Sequence, residues 1–192
     1  MLTVAVAFVS LVQATYCPTG PQIEVGMVSG KSFVITTDPN SSPKTVQHIL
    51  DLVKAKFYDR QRIHRVESWV TQWGAPQSKD QPLDIKNKDG KKELNEKVGD
   101  GGSGKDVPFE MSEVDYVRGV VGVASTGLQV GGDSQLFILK KDALRLYHSY
   151  AVVGMVTKGM DVVDGIKRGD RIAKMRILRA SKQESRAKSA SR

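Results

Sequence analysis

At 192 residues, 40% of them hydrophobic and 26% charged, the chain carries enough apolar material for one globular domain, with residues to spare for tails or an insertion. Its single cysteine, Cys17, excludes an intrachain disulfide, a cysteine-rich metal centre and a paired redox motif, and His48, His64 and His148 fall at no metal-ligand spacing. The net charge of +8 would suit an acidic partner only if the cations cluster, so their placement decides what the sum means.

The chain begins MLTVAVAFVSLVQA, an apolar run ending in Val12-Gln13-Ala14. It is too short to cross a bilayer and reads as a secretory signal over 1–14, cleaved after Ala14; because no Lys or Arg precedes it, an apolar first strand is the alternative. Cleavage predicts a periplasmic or secreted protein of bacterial type, and an uncleaved strand a cytoplasmic one. A lipid anchor on Cys17 fits less well, since Ala14-Thr15-Tyr16 is a poor match to the small residues such sites carry before the cysteine. Residues 15–21 then form a linker, and no later segment is long and apolar enough to be a transmembrane helix.

Residues 22–27 and 31–37 are β-prone and are separated by Val28-Ser29-Gly30, which predicts a hairpin. A turn-forming cluster over 38–42 leads to Ser42-Pro43, an N-cap followed by proline in the first helical turn. Val46, Ile49, Leu50 and Val53 then repeat at i, i+3, i+4, i+7, so the spacing predicts an amphipathic helix to about Ala55. β-branched and aromatic residues over 62–67 and 69–74 predict two closely joined strands.

From 76 to 106 acidic and basic residues come near to balance and glycines cluster over 99–104, which marks a long surface insertion. A partner-binding loop is one reading; a solvated, partly mobile excursion is preferred. Strands follow over 119–124 and 135–139, a helical turn over 142–146, a strand over 151–157, a helix over 161–166 and a last strand over 171–178. Much of the positive excess sits in the final stretch, where Arg179, Lys182, Arg186, Lys188 and Arg192 face only Glu184. That composition predicts a disordered, solubilising tail over 179–192; without aromatic residues to stack on bases, nucleic-acid binding is the minor alternative. Strands dominate without regular βαβ spacing, which favours an antiparallel barrel or sandwich flanked by helices.

Ser42-Pro43-Lys44-Thr45-Val46, Phe57-Tyr58-Asp59, Ile63-His64-Arg65-Val66 and Ser134-Gln135-Leu136-Phe137-Ile138, taken in that order, resemble the cyclophilin family of peptidyl-prolyl cis-trans isomerases. Ser42-Pro43-Lys44-Thr45-Val46 resembles the start of its first helix, and Phe57-Tyr58-Asp59 with Ile63-His64-Arg65-Val66 the segment bearing its catalytic arginine. Residues 120–125 with Ser134-Gln135-Leu136-Phe137-Ile138 resemble the far wall of its pocket, and 151–156, 159–163 and the closing strand its last third. The resemblance spans 22–178, interrupted by the charged insertion. It implies a mainly β fold, a closed eight-stranded antiparallel barrel capped by two α-helices.

Carried over residue by residue, the resemblance aligns Arg65 with the catalytic arginine and Gln72 with the glutamine that orients it and the substrate carbonyl. Gln135 and Phe137 align with the polar and aromatic residues of the proline pocket, and Leu146 keeps a pocket leucine. Trp69 and Leu136 replace phenylalanines, Val70 a methionine, Ser125 an asparagine whose backbone binds the peptide, and Tyr150 a histidine. The family's Ile-Pro-Gly-Phe becomes the shorter Glu67-Ser68-Trp69, which leaves the register through Trp69 and Val70 open, and Gln-Gly-Gly-Asp becomes Gln72-Trp73-Gly74-Ala75. Arg145 stands where many members carry the tryptophan associated with cyclosporin binding, so cyclosporin affinity is expected to be lost.

The implied reaction twists an amide through a barrier of about 18–20 kcal/mol. In the twisted state the prolyl nitrogen becomes a hydrogen-bond acceptor, so a fixed guanidinium aimed there binds the transition state better than either isomer. Taken alone, Arg65 would pass for a surface strand arginine, and Val70, Leu136, Phe137 and Leu146 for ordinary core. His64, without a carboxylate or nucleophile partner, is given a structural role. The expectation is a monomeric prolyl isomerase acting on proline-containing, exported polypeptides, with no cofactor and no metal. The alternatives are a catalytically weak module that binds proline-containing peptides, and a protein that binds a partner through its insertion and tail.

Overall fold

The structure, a computed structural model, describes residues 16–179; the expected signal and all of the expected tail beyond Arg179 lie outside the described residues. β1 (Gln22–Met27) alternates, with Ile23, Val25 and Met27 inward, and pairs with β2 (Ser32–Thr37) in the predicted hairpin. β2 is buried along nearly its whole length, being flanked by β1 and by β9 (Val152–Lys158).

α1 (Pro43–Lys54) buries Val46, Ile49, Leu50 and Val53, the stripe that the 3.6-residue period predicts. Its start differs in chemistry from the expectation. Ser42 occupies the cap position, yet its hydroxyl is buried without a partner. The exposed amides are met from far along the chain by Glu110, whose carboxylate accepts from the backbone of Lys44 (3.1 Å) and Thr45 (2.8 Å) and from the Thr45 hydroxyl (2.8 Å). A carboxylate at this end also meets the positive pole of the helix dipole.

β3 (Arg65–Val66) and β4 (Val70–Trp73) are joined tightly, the Glu67 amide donating to the Val70 carbonyl at 2.8 Å. β3 is shorter than predicted, because Ile63 exchanges backbone hydrogen bonds with Asp170 and Gly169 instead of continuing the ladder. The insertion is largely solvent-exposed, as expected, and carries secondary structure of its own. It contains a hairpin of β5 (Asp84–Lys86) and β6 (Lys92–Leu94), flanked by 3₁₀ turns at Pro76–Lys79 and Glu96–Gly99. It is braced internally by buried Asn95, which donates to Pro82 O at 2.7 Å, and tied to the rest of the domain by Arg168, which reaches Asp84 at 3.0 Å.

β7 (Val120–Val123), β8 (Leu136–Leu139), a 3₁₀ turn at Leu144–Leu146, α2 (Met160–Gly165) and β10 (Ile172–Ile177) complete the chain. Eight strands form one strongly curled antiparallel sheet in the order β10-β1-β2-β9-β7-β8-β4-β3. Of the closed barrel expected, the eight strands and two helices are present, whereas β3 and β10 form no ladder with one another. The gap between them is bridged just ahead of both strands, at Arg62 and Arg171, by backbone bonds between 60–63 and 169–172. One core fills the inside of the curl beneath the helices, from Ile23 and Phe33 to Trp73, Leu136 and Ile138; a second lies on the outer face.

Candidate functional site

Residues paired across an antiparallel ladder share a face. Arg65 pairs with Gln72, Gln72 with Phe137 and Phe137 with Gly122, so one row crosses β3, β4, β8 and β7. Val70 and Leu139, each two residues from a member of this row, fall on the same face. There Val70, Phe137 and Leu139 join Tyr116, Val120 and Val152 in the second apolar cluster, with Trp69, Leu146 and Tyr150 half-buried at its rim.

Phe137 lies flat against β7 only because Gly122 has no side chain: a Cβ there would stand 2.5 Å from the ring. The Tyr150 ring meets Phe137 edge-on at 5.5 Å, and its carbonyl accepts from the Tyr116 hydroxyl. The result is an apolar cluster, the cup, with Phe137 as its aromatic floor, buried below and half-buried at its rim of Trp69, Leu146 and Tyr150.

Beside the cup the Arg65 guanidinium is held at two points. Its Nε donates to Glu67 Oε1 at 2.7 Å and its Nη1 to Gln72 Oε1 at 3.2 Å. The second Glu67 oxygen accepts from the Trp69 indole at 2.8 Å, and the indole ring lies 5.7 Å from the Arg65 guanidinium and 4.5 Å from that of Arg145. Hydrogen bonding and charge from Arg65, with a smaller contribution from Trp69, hold the Glu67 carboxyl below the usual carboxylate range against slight desolvation. Gln72 Nε2 donates in turn to Gln135 Oε1 at 2.8 Å.

The structure brings Arg65, Gln72, Trp69, Val70, Gln135, Phe137, Leu146 and Tyr150 onto one face. Leu136 does not join them. Strand side chains alternate, and with Phe137 outward Leu136 points into the inner core, fully buried. Ser125 is also set apart from the cup: it lines an adjoining cavity of about 430 Å³, together with Gln72, Gln135 and Asp133, and its hydroxyl donates to Gly127 O at 2.6 Å.

His64 is largely buried beneath the insertion, and its pKa is lowered to about 4, first by burial and then by the charges of Arg65 and Arg168. It is neutral at pH 7. Among the described residues no cluster could hold a metal ion. Glu67, Gly122 and Tyr116 were not foreseen as parts of the site; of these only Glu67 carries a sequence signal, standing two residues from Arg65 on a strand-like stretch and so on its face. The arrangement sets the half-exposed guanidinium of Arg65 beside an apolar surface with an aromatic floor.

The chain is similar to known proteins in sequence and in fold. The family model described as "Cyclophilin type peptidyl-prolyl cis-trans isomerase/CLD" matches residues 22–182. A Brucella abortus protein named "Probable peptidyl-prolyl cis-trans isomerase" is 38% identical over 134 residues, 68% of this chain and 64% of that protein, so the match spans less than two thirds of the relative's length. A Bacillus subtilis protein named "Peptidyl-prolyl cis-trans isomerase B" is 27% identical over 142 residues, 72% of this chain and 85% of that one. Among solved structures, a cyclophilin-type isomerase of Cryptosporidium parvum superposes with a TM-score of 0.67 at 18% identity, covering 84% of this chain and 99% of that one; it has also been solved in the presence of the dipeptide Ala-Pro.

Proposed function

This chain belongs to the family of cyclophilin-type peptidyl-prolyl cis-trans isomerases, and from that premise we propose that it accelerates the cis-trans isomerisation of X-Pro bonds in exported polypeptides. The observation that carries the reading is Arg65, held by Glu67 and Gln72 beside the apolar cup of Val70, Phe137, Leu146 and Tyr150. The cup takes the pyrrolidine ring, and the peptide carbonyl before it is met by the amide of Gln72.

As the amide twists, conjugation is lost and the prolyl nitrogen gains a lone pair; the Arg65 guanidinium donates to it there and has no such partner in either planar isomer. No proton is transferred and no covalent bond forms. The apolar start MLTVAVAFVSLVQA supports the exported setting, and Arg145 stacked on Trp69 supports the loss of cyclosporin binding.

The test is exchange NMR on a set of X-Pro peptides with the full chain and its Arg65→Ala variant. Acceleration by the parent, lost in a folded variant, is expected. A second reading, a peptide-binding module with weak turnover, is favoured by Glu67, which already occupies Arg65 Nε and offsets its charge. Peptide binding without acceleration would establish it.

A further inference from the structure

The glycine-rich end of the charged insertion reaches the site through an unbroken series of hydrogen bonds. Gln135 Nε2 donates to the backbone carbonyls of Gly99 (2.7 Å) and Gly101 (2.9 Å). Gln135 Oε1 accepts from Gln72 Nε2 at 2.8 Å, and Gln72 Oε1 accepts from Arg65 Nη1 at 3.2 Å.

A side-chain amide has a donor end and an acceptor end, and which way it faces is set by its partners. Here both termini of the series are groups that cannot exchange roles. The two glycine carbonyls can only accept, so Gln135 must turn its NH₂ to them and its oxygen to Gln72. Gln72 must then turn its NH₂ to Gln135, and its oxygen is left for the guanidinium, which can only donate. Every amide in the series therefore has one orientation, which the insertion's carbonyls and the guanidinium set from opposite ends.

The turn that supplies the carbonyls is itself fastened. Asp133, two residues from Gln135, accepts from the Ser103 hydroxyl and from the Gly104 amide at 2.8 Å, and meets His48 of α1 at 3.0 Å. Between them Ser134 faces inward, its hydroxyl bonded to Gly74 O at 2.9 Å and its carbonyl to the Tyr58 hydroxyl at 3.0 Å. Asp133 and Gln135 thus grip the turn from a buried anchor. Gly101 has φ +77, a conformation that residues with a Cβ rarely adopt, and a Cβ there would also displace the Gln77 amide, 2.7 Å away, so a side chain at 101 strains the turn that presents the carbonyl.

We propose that the turn over 99–101 is a positioning element of the isomerase site: its carbonyls orient Gln135, Gln135 orients Gln72, and Gln72 aims Arg65. This rests on the function proposed above and gives the insertion a part in it. A turn that loosened would take away the two partners that hold Gln135 Nε2 in place, and Gln72, one of the two contacts that fix Arg65, would be less firmly held.

The test compares Gly101→Ala with Gly90→Ala in the full chain. Gly90 has φ +75 in the β5–β6 turn of the same insertion, with open space where a Cβ would go, so it bears the same backbone strain without touching the series. Gly101→Ala is expected to lower kcat by about tenfold with KM nearly unchanged, in keeping with the cost of a misplaced catalytic group. It should also move the NMR resonances of Arg65 Nε–H and of the Gln72 and Gln135 amides. Gly90→Ala should do neither. Equal activity in the two variants, with Arg65 Nε–H unmoved, overturns the proposal.

Should Gly101→Ala not fold, Gln135→Glu serves instead. Its carboxylate cannot donate to the carbonyls, whereas its protonated form regains one donor, so its kcat should rise as pH falls from 7.5 to 5.5 while the parent's does not; parallel profiles overturn the proposal. An inactive parent would refute the isomerase reading alone. The link from turn to arginine would still stand or fall on the Arg65 resonance.

Discussion

Glu67 and Arg65 stand two residues apart on one face of the β3 edge, and a single carboxylate ties the Arg65 guanidinium (2.7 Å) to the Trp69 indole (2.8 Å). An edge strand would otherwise leave a long arginine free to sample solvent, so this pair and the Gln72 contact are what make Arg65 a directed donor. Both partners of the ion pair are roughly half exposed, and an exposed pair contributes only about 0–1 kcal/mol to stability. Glu67→Ala should therefore leave the unfolding midpoint nearly unchanged and lower kcat/KM by roughly tenfold, the loss expected when a catalytic donor is no longer held. Stopped-flow or exchange NMR measures this. A rise in kcat would instead show that the carboxylate masks Arg65, which is what the weak-turnover reading requires.

His64 makes stability depend on pH. Its folded pKa is about 4 against 6.5 for a free imidazole, so the unfolded chain takes up the proton more readily. Its contribution is fully present above pH 6.5 and erodes as pH falls toward 4, by roughly 3 kcal/mol at the lower end. Urea midpoints at pH 7.5 and 5 should separate in the parent and draw together in His64→Gln. Equal separation in both proteins would move the acid sensitivity to another group.

The helix cap offers a test that is independent of catalysis. Glu110 meets two backbone amides and a hydroxyl at the start of α1, while Ser42 caps nothing. Glu110→Ala should cost about 1–2 kcal/mol, in the range of a lost cap, and Ser42→Ala much less. Urea unfolding of the two variants decides it; the reverse order would return the cap to Ser42.

These cases show what the sequence made legible. The stripe of α1 and the outward run of strands follow from local periods, and each formed within a few residues of its expected place. The cap supplied by Glu110, the bonds from Gln135 to Gly99 and Gly101, and the docking of Arg168 onto the insertion join residues 34 to 84 positions apart, and no local pattern encodes such distances. The hairpin β5–β6 was hidden for another reason: its exposed, charged strands lack the apolar alternation that marks a half-buried strand. Ser134-Gln135-Leu136-Phe137 located the wall, but the run Leu136–Leu139 is buried on both faces, so alternation could not say which side chain faced the cup.

That last assignment gives the most direct test of the face on which peptides bind. Leu136 is fully buried among the inner core residues, whereas Phe137 floors the cup from the opposite side of the same strand. Leu136→Ala should leave a cavity in a close-packed interior and cost about 2–5 kcal/mol, with the affinity for a proline peptide unchanged in whatever fraction remains folded. Phe137→Leu keeps most of the apolar volume and should cost less than about 1.5 kcal/mol in stability, yet it removes the flat ring against which the pyrrolidine packs. NMR titration with an X-Pro peptide, run beside urea unfolding, reads both quantities. Weakened binding in Leu136→Ala with stability intact would place the groove on the inner face, and the row from Arg65 to Gly122 would no longer mark the site.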